Sequence, residues 1–363
     1  MKLGVEAALV GGVLLAGDVE VVDGRIARVG VASANGRGIA VPGFIDLQVN
    51  GFGGVDFLEA DAAGYSRAGE ALLETGVTGY LPTLITTPED ELVAAMKEIP
   101  IVAEGPRILG IHLEGPFLSP RRLGAHPPSA RRDPDPELLE RLLAAGPVRI
   151  MTLAPELPGA DGLIEALQAR GITVSCGHSD ATSEQANAAF DRGVRTVTHL
   201  FNAMRPFEHR DPGIAGAALA RDDVIVQVIA DGVHLAHDTV KLVWHAAAGR
   251  VALVTDAMAA AGVADGAYSL GSLEAVARDG AVRLPNGVLA GSVLTMIDAV
   301  RNLHALGVDL ADAVGAATAV PADVLGLPTI GRLDVDLPAD IVVLNDNLDI
   351  ETVFVGGEAR AVA

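Results

Sequence analysis

From Pro42 onward, runs of β-branched and apolar residues alternate eight times with stretches of helical periodicity, an order that few folds accept. FIDLQVN, TGYLPTLIT, RILGIHLEG, VRIMTLA, ITVSCGH, RTVTHLFN, DVIVQVIADG and RVALVTDA read as the strands. Their near-continuous apolar character suits strands of a parallel sheet covered on both faces. Eight strand–helix units predict an α/β fold of the closed (β/α)8 TIM type rather than an open doubly wound sheet. Helices are expected at Ser66–Glu74, stopped by Gly76, and at Pro88–Glu98.

The two ends of the chain have a different texture. ALVGG and VEVVDGRIARVGV alternate β-prone segments with glycine turns, and Asp23-Gly24 is a hairpin signal. ADIVVLNDNLDIETVFVGGEAR repeats that texture, with Gly356-Gly357 as its turn. The apolar patch Ala7–Ala16 reads as strand, since Glu6 and Asp18 flank it and it is too short to span a membrane. A small β-sandwich module is therefore expected from residues 1–41 and 335–363, flanking a barrel over 42–334. Beyond strand eight, YSLGSLEAVARDGAVRLPNG reads as a hairpin insertion turning at Asp279-Gly280, with helix resuming after Ser292.

Charge and cysteine content narrow the partners. With 47 acidic residues against 26 lysines and arginines, the net charge of −21 disfavours nucleic acid and anionic membrane surfaces. Cys176 is the only cysteine, which excludes an internal disulfide and a thiolate-rich metal site and suits a cytoplasmic, reducing setting. Its place within a strand reads as a small buried residue rather than a nucleophile.

In a barrel, the carboxyl ends of all strands face one mouth, so polar residues there can meet. His178 ends strand five and His199 ends strand six, while Glu114 closes strand three. A lone histidine at a strand end is more often structural than a ligand, but three such residues match the two-histidine, one-carboxylate set of hydrolytic metal sites, which leaves a position for water. Asp256, after strand eight, reads as a helix N-cap or as a general base and acid; beside a metal site the catalytic role is favoured. Asn202 and His234 lie at the same mouth and suit substrate contacts. His126, in the loop PFLSPRRLGAHPPSARRDP, is either part of a solvated lid or a substrate contact. His209, His237, His245 and His304 fall away from strand ends and read as surface or core residues.

Two absences refine the site. The only lysines, Lys2, Lys97 and Lys241, are not at strand ends, which argues against a carbamylated lysine bridging two metals. Where many metal-dependent barrels carry His-x-His after strand one, this chain has Gln48-Val49-Asn50. A neutral amide pair is a poor ligand set for a second cation, so one metal per chain is expected. The glycines of Gly51-Phe52-Gly53-Gly54 read as a turn, with no dinucleotide-binding helix after them.

PGFIDLQVNGFGG, GIHLEGPF, CGHSDAT, THLFNAM, ADGVHL, LVTDAM and AGSVLTM, in this order and over nearly the whole chain, resemble the N-acetylglucosamine-6-phosphate deacetylases of the amidohydrolase superfamily. The resemblance implies hydrolytic deacetylation of N-acetylglucosamine 6-phosphate to glucosamine 6-phosphate and acetate, in amino-sugar catabolism and recycling. It implies one divalent metal on Glu114, His178 and His199, with Zn2+ heading the candidates and Fe2+ compatible with the same set. A metal-activated water would attack, Asp256 would serve as general base and then acid, and His126 would polarise the acetamide carbonyl. Phosphate contacts would come from Asn202, the backbone of Ala203, His234 and Arg210, the last reaching in from the neighbouring subunit of a homodimer. The arginines Arg121, Arg122, Arg131 and Arg132 around His126 match no family motif; they read either as steering an anionic substrate or, ahead of that, as part of a lid. Two other readings share the barrel: an amidohydrolase for a different N-acyl or cyclic amide, which would not need Asn202, Ala203 and Arg210, and a catalytically silent sugar-phosphate sensor.

Overall fold

A strand covered on both faces keeps even its polar residues from solvent, and the first barrel strand, Phe44–Val49, is buried at every position, Asp46 and Gln48 included. The structure is a computed structural model and describes residues 1–33, 36–100 and 105–360. Seven further parallel strands follow at Val77–Ile85, Ile111–Glu114, Val148–Leu153, Thr173–Cys176, Thr196–Val197, Ile225–Val228 and Val251–Leu253. Each pairs in parallel with its successor, as the (β/α)8 reading predicts.

The ring is thinnest between the eighth strand and the first. There the ladder reduces to one parallel bridge, Val49 with Ala257. Around it Asp256 donates its amide to the Gln48 carbonyl at 3.0 Å, and Asn50 donates to the Ala257 carbonyl at 2.7 Å. The buried Asp46 carboxyl adds side-chain links, accepting from Thr255 Oγ1 at 2.5 Å and from the Thr255 and Gln48 amides at 3.3 and 3.1 Å. Burial pushes the Asp46 pKa up to about 7, against the pull of these hydrogen bonds. The backbone of strand one is thus tied directly to the residues around Asp256.

Local chemistry sets the helix starts. The first helix runs Ala62–Leu73, earlier than the expected Ser66, because Asp61 caps it by accepting the Gly64 amide at 2.7 Å. The second, Glu89–Glu98, begins on three acidic residues that favour the positive end of the helix dipole. After His178, the helix Ser183–Asp191 opens on a capping box between Thr182 and Gln185, which fixes the chain leaving the site.

The terminal segments form a separate six-stranded sheet from Ala7–Val10, Val13–Ala16, Ile39–Pro42, Ile341–Leu344, Ile350–Val355 and Glu358–Arg360. The hairpin Asp18–Val22 with Arg25–Val31 packs on it over a second core that includes Val19, Ile26 and Ile341. The patch Ala7–Ala16 is two antiparallel strands, not one, because Gly11 and Gly12 take positive φ and reverse the chain. Residues 34–35 and 361–363, which the expected terminal module includes, lie outside the described residues.

The insertion after strand eight is larger than a hairpin. It is a four-stranded antiparallel sheet, Gly266–Leu270, Leu273–Arg278, Ala281–Arg283 and Leu289–Ser292, of which Asp279-Gly280 makes the middle turn. Its apolar side packs on Ile85 and Met258, and Ser292 bridges to Ala257, so it stands as a wall at the barrel mouth.

Candidate active site

At the strand ends, backbone conformation departs from what side-chain-bearing residues prefer. His178, His199 and Asp256 have φ of 47°, 31° and 50°, and Ala203 has 48°. The left-handed region is uncommon for any residue but glycine, and its clustering points to a site whose surroundings enforce it.

Glu114, His178 and His199 meet at one point. Glu114 Oε1 lies 2.8 Å from His199 Nε2 and 3.0 Å from His178 Nε2, and the two nitrogens are 3.1 Å apart. All three residues are buried. His178 Nδ1 faces the Arg122 carbonyl at 2.9 Å, so that nitrogen carries the proton and Nε2 turns its lone pair inward. Burial raises the Glu114 pKa, yet the three histidines around it outweigh that effect and hold it well below the usual range. For His199, burial acts downward and the Glu114 contact prevails, raising it. Two imidazole nitrogens and a carboxylate oxygen converging this closely fit a divalent cation better than they fit one another.

His126 stands beside this set, with Nε2 3.6 Å from Glu114 Oε2. Its Nδ1 accepts the Thr86 amide at 3.2 Å, which places the ring proton on Nε2. Burial, then the neighbouring His178, lowers its pKa to about 4, so it is a neutral donor at physiological pH. Asp256 is also buried, and Asn50 Nδ2 donates to its Oδ1 at 2.7 Å. Burial and the nearby Glu114 raise its pKa to about 6, close to where a group that both takes and returns a proton works best.

These groups line one cavity of about 360 Å3, together with Asn202, Ala203 and His234. Asn202 Nδ2 donates to the His199 and Leu200 carbonyls, both at 3.2 Å, shaping the turn that presents Ala203. His234 Nδ1 pairs with Asp231 Oδ2 at 2.7 Å, leaving Nε2 as its other polar atom. Arg210 is not part of this cavity. It is exposed at the tip of a turn closed by Glu208 and Asp211.

The four arginines around His126 are tied down. Arg121 and Arg122 reach Asp180 at 3.1 and 2.7 Å; Arg131 binds the Leu118 carbonyl and Asp133, and Arg132 the Ser129 carbonyl. Cys176 is buried, and burial pushes its thiol pKa up, away from nucleophilic use.

Sequence reasoning missed three contributors. Asp231 stands three residues before His234, a spacing that could have signalled the pair. Thr86 acts through its backbone, which no side-chain pattern reveals. Arg283, from the inserted sheet, lines the cavity and has no carboxylate partner among the described residues. Its guanidinium donates to the Gly287 carbonyl at 3.0 Å.

The amidohydrolase family profile matches residues 39–360. The chain belongs to the amidohydrolase family. Members of this family are metal-dependent hydrolases, in keeping with the Glu114, His178 and His199 set. Within the family the chain is similar to N-acetylglucosamine-6-phosphate deacetylase of Homo sapiens, 41% identical over 342 residues that cover 89% of this chain and 83% of that one. It is also similar to N-acetylgalactosamine-6-phosphate deacetylase of Escherichia coli O157:H7, 36% identical over 87% of this chain and 86% of the relative. Among solved amidohydrolase structures, an Asp→Ala variant of the Mycobacterium smegmatis N-acetyl-D-glucosamine-6-phosphate deacetylase, in complex with N-acetyl-D-glucosamine-6-phosphate, superposes with a TM-score of 0.92. That match is at 36% identity and covers 99% and 98% of the two chains.

Proposed function

We propose that this amidohydrolase removes the acetyl group of N-acetylglucosamine 6-phosphate, giving glucosamine 6-phosphate and acetate. The observation that carries this reading is the single cavity joining the Glu114–His178–His199 set and Asp256 to Asn202, Ala203 and His234. The same cavity thus offers both the groups that hydrolysis needs and further polar groups for the rest of a substrate.

Glu114, His178 and His199 would hold one divalent cation, for which Zn2+ suits the ligands. When bound, it would supply Lewis-acid activation of water and of the amide carbonyl. The chain's own residues manage the protons. His126 Nε2–H donates to the acetamide oxygen as charge develops there. Asp256 accepts a proton from the attacking water and returns it to the leaving nitrogen. The Ala203 amide, Asn202 and His234 hold the phosphate, and Arg283 adds an arginine, the only one lining the cavity among the described residues. A second cation is not expected, because Gln48 Nε2 already donates to Glu114 Oε1 at 3.1 Å and Asn50 to Asp256.

The test is a metal-reconstituted assay of N-acetylglucosamine with and without its 6-phosphate. Charge-assisted hydrogen bonds contribute about 1.5–3 kcal/mol each. Two of them predict kcat/KM at least about 10²-fold higher for the phosphorylated sugar. Arg283→Gln should lower kcat/KM for the phosphorylated substrate and leave the residual rate on the plain sugar unchanged. Equal rates with and without phosphate would favour an amidohydrolase of another N-acyl amide; preference for the galactosamine epimer would move the assignment to that sugar.

Residues 42–334 act as the catalytic unit and residues 1–41 with 335–363 as a supporting module. The exposed Arg210 serves the neighbouring site of a homodimer. Sedimentation velocity of the active enzyme is expected to show a dimer, and a fully active monomer would remove that role. A cytoplasmic address accords with one buried thiol and a phosphorylated substrate. Among the described residues, no helix is long and apolar enough to cross a membrane.

A further inference from the structure

Gln48 and Asn50 flank Val49 at the end of the first barrel strand, so their side chains share one face. Both are buried, Gln48 fully and Asn50 to within 3%. Each gives its amide N–H to a different carboxylate of the site: Gln48 to Glu114 Oε1 at 3.1 Å, Asn50 to Asp256 Oδ1 at 2.7 Å. Their carbonyl oxygens, Gln48 Oε1 and Asn50 Oδ1, are buried without a partner among the described residues. Turning either amide over would set an acceptor against a carboxylate oxygen, so the donors fix the orientation and the orphaned carbonyls are its cost. The backbone repeats the grip, since Asn50 N binds the Ala257 carbonyl and Gln48 O receives the Asp256 amide.

We propose that Gln48 and Asn50 are positioning residues that hold the two carboxylates apart in role: Gln48 fixes Glu114 for the cation, and Asn50 occupies Asp256 Oδ1 so that Oδ2 alone carries the proton. This rests on the reading of Asp256 as general base and acid. Without the Asn50 bond, the Asp256 side chain on its left-handed backbone is free to rotate, and proton transfer loses its geometry while substrate binding does not. Gln48 acts one step further back, on the affinity of the ligand set for the cation.

Asn50→Ala and the near-isosteric Asn50→Leu are expected to lower kcat about 10- to 100-fold, the range that second-layer contacts typically command. KM should stay within about twofold, with metal content by elemental analysis unchanged and the far-ultraviolet circular dichroism of the parent retained. Placed in an Asp256→Asn background, either change should cause no further loss, because residues acting as one unit are not additive. Gln48→Ala should weaken cation binding about tenfold in equilibrium competition with a chelator, a readout independent of turnover. If the Asn50 variants lower the Asp256→Asn residual rate by the same factor as they lower the parent, or leave the parent rate unchanged, the positioning role is overturned. Two tightly bound metals per chain would also overturn it, since the amide oxygens would then be ligands. Near-normal turnover of Asp256→Asn alone would instead overturn the general-base reading.

Discussion

Asp256→Asn is expected to cut kcat by about 10²–10⁴-fold, the contribution typical of a positioned general acid–base, while KM and metal content stay near the parent values. The expectation comes from where the carboxyl sits. It is buried, bonded through Oδ1 to Asn50 at 2.7 Å, and shares the cavity with the Glu114–His178–His199 set. Burial first, and Glu114 second, raise its pKa to about 6, a value that suits a group exchanging a proton near neutral pH. The same shift fixes a stability effect. A carboxyl whose pKa is raised on folding binds its proton more tightly in the folded state, so its contribution to stability is greatest at low pH. That contribution falls as pH rises from 3.8, the unfolded value, to about 6. Asparagine stays neutral and escapes that loss. The metal-free variant should therefore melt no lower than the metal-free parent at pH 8, while being far less active once loaded. Thermal melts and steady-state rates on the same samples check both halves, and a variant turning over at near-parental rate would remove Asp256 from the chemistry.

Glu114→Gln should be as damaging, by a different route. Glu114 Oε1 is within 2.8 and 3.0 Å of two imidazole nitrogens, and its carboxylate is the one anionic group of the set that would hold a divalent cation. The amide keeps the shape and loses the charge, and its NH2 can turn donors toward the cation. Elemental analysis of the variant should find substoichiometric metal, with activity below about 1% of the parent, beyond the 10–100-fold that an outer contact alone would cost. Chelation of the parent should reproduce the loss and readdition of the ion should reverse it. The parent's melting temperature should also rise with added cation, by about 4 kcal/mol of stabilisation at 1,000 times the dissociation constant. Unchanged metal content in Glu114→Gln would place the cation elsewhere.

Much of this was legible in the chain because barrel strands announce themselves. An apolar run bounded by a polar residue places that residue at the mouth, which is how Glu114, His178, His199 and Asp256 could be brought together without coordinates. What pattern could not convey was anything made between distant segments. Asn50 and Asp256 are 206 positions apart, and only closure of the ring between strands eight and one makes them partners. Arg283 has no strand-end signature, since it reaches the cavity from an inserted sheet whose four strands are shorter than a hairpin reading allows. Gly11-Gly12 carried a turn signal, yet the apolar residues on both sides kept Ala7–Ala16 as one strand, where the positive φ of both glycines reverses the chain. The early start at Ala62 escaped notice because an aspartate cap outweighs the weak helical pattern behind it.

The left-handed backbone at His178, His199 and Asp256 has a consequence for how such a protein can change. Glycine would adopt each of those conformations at little cost, and in that narrow sense would relax the fold. It would also erase an imidazole of the buried Glu114–His178–His199 cluster or the carboxyl beside it. The left-handed residues of turns outside the cavity, Asp23, Asp279 and Asp336, carry no such conflict, so a thermostabilised descendant would find this kind of gain there, away from the mouth of the barrel.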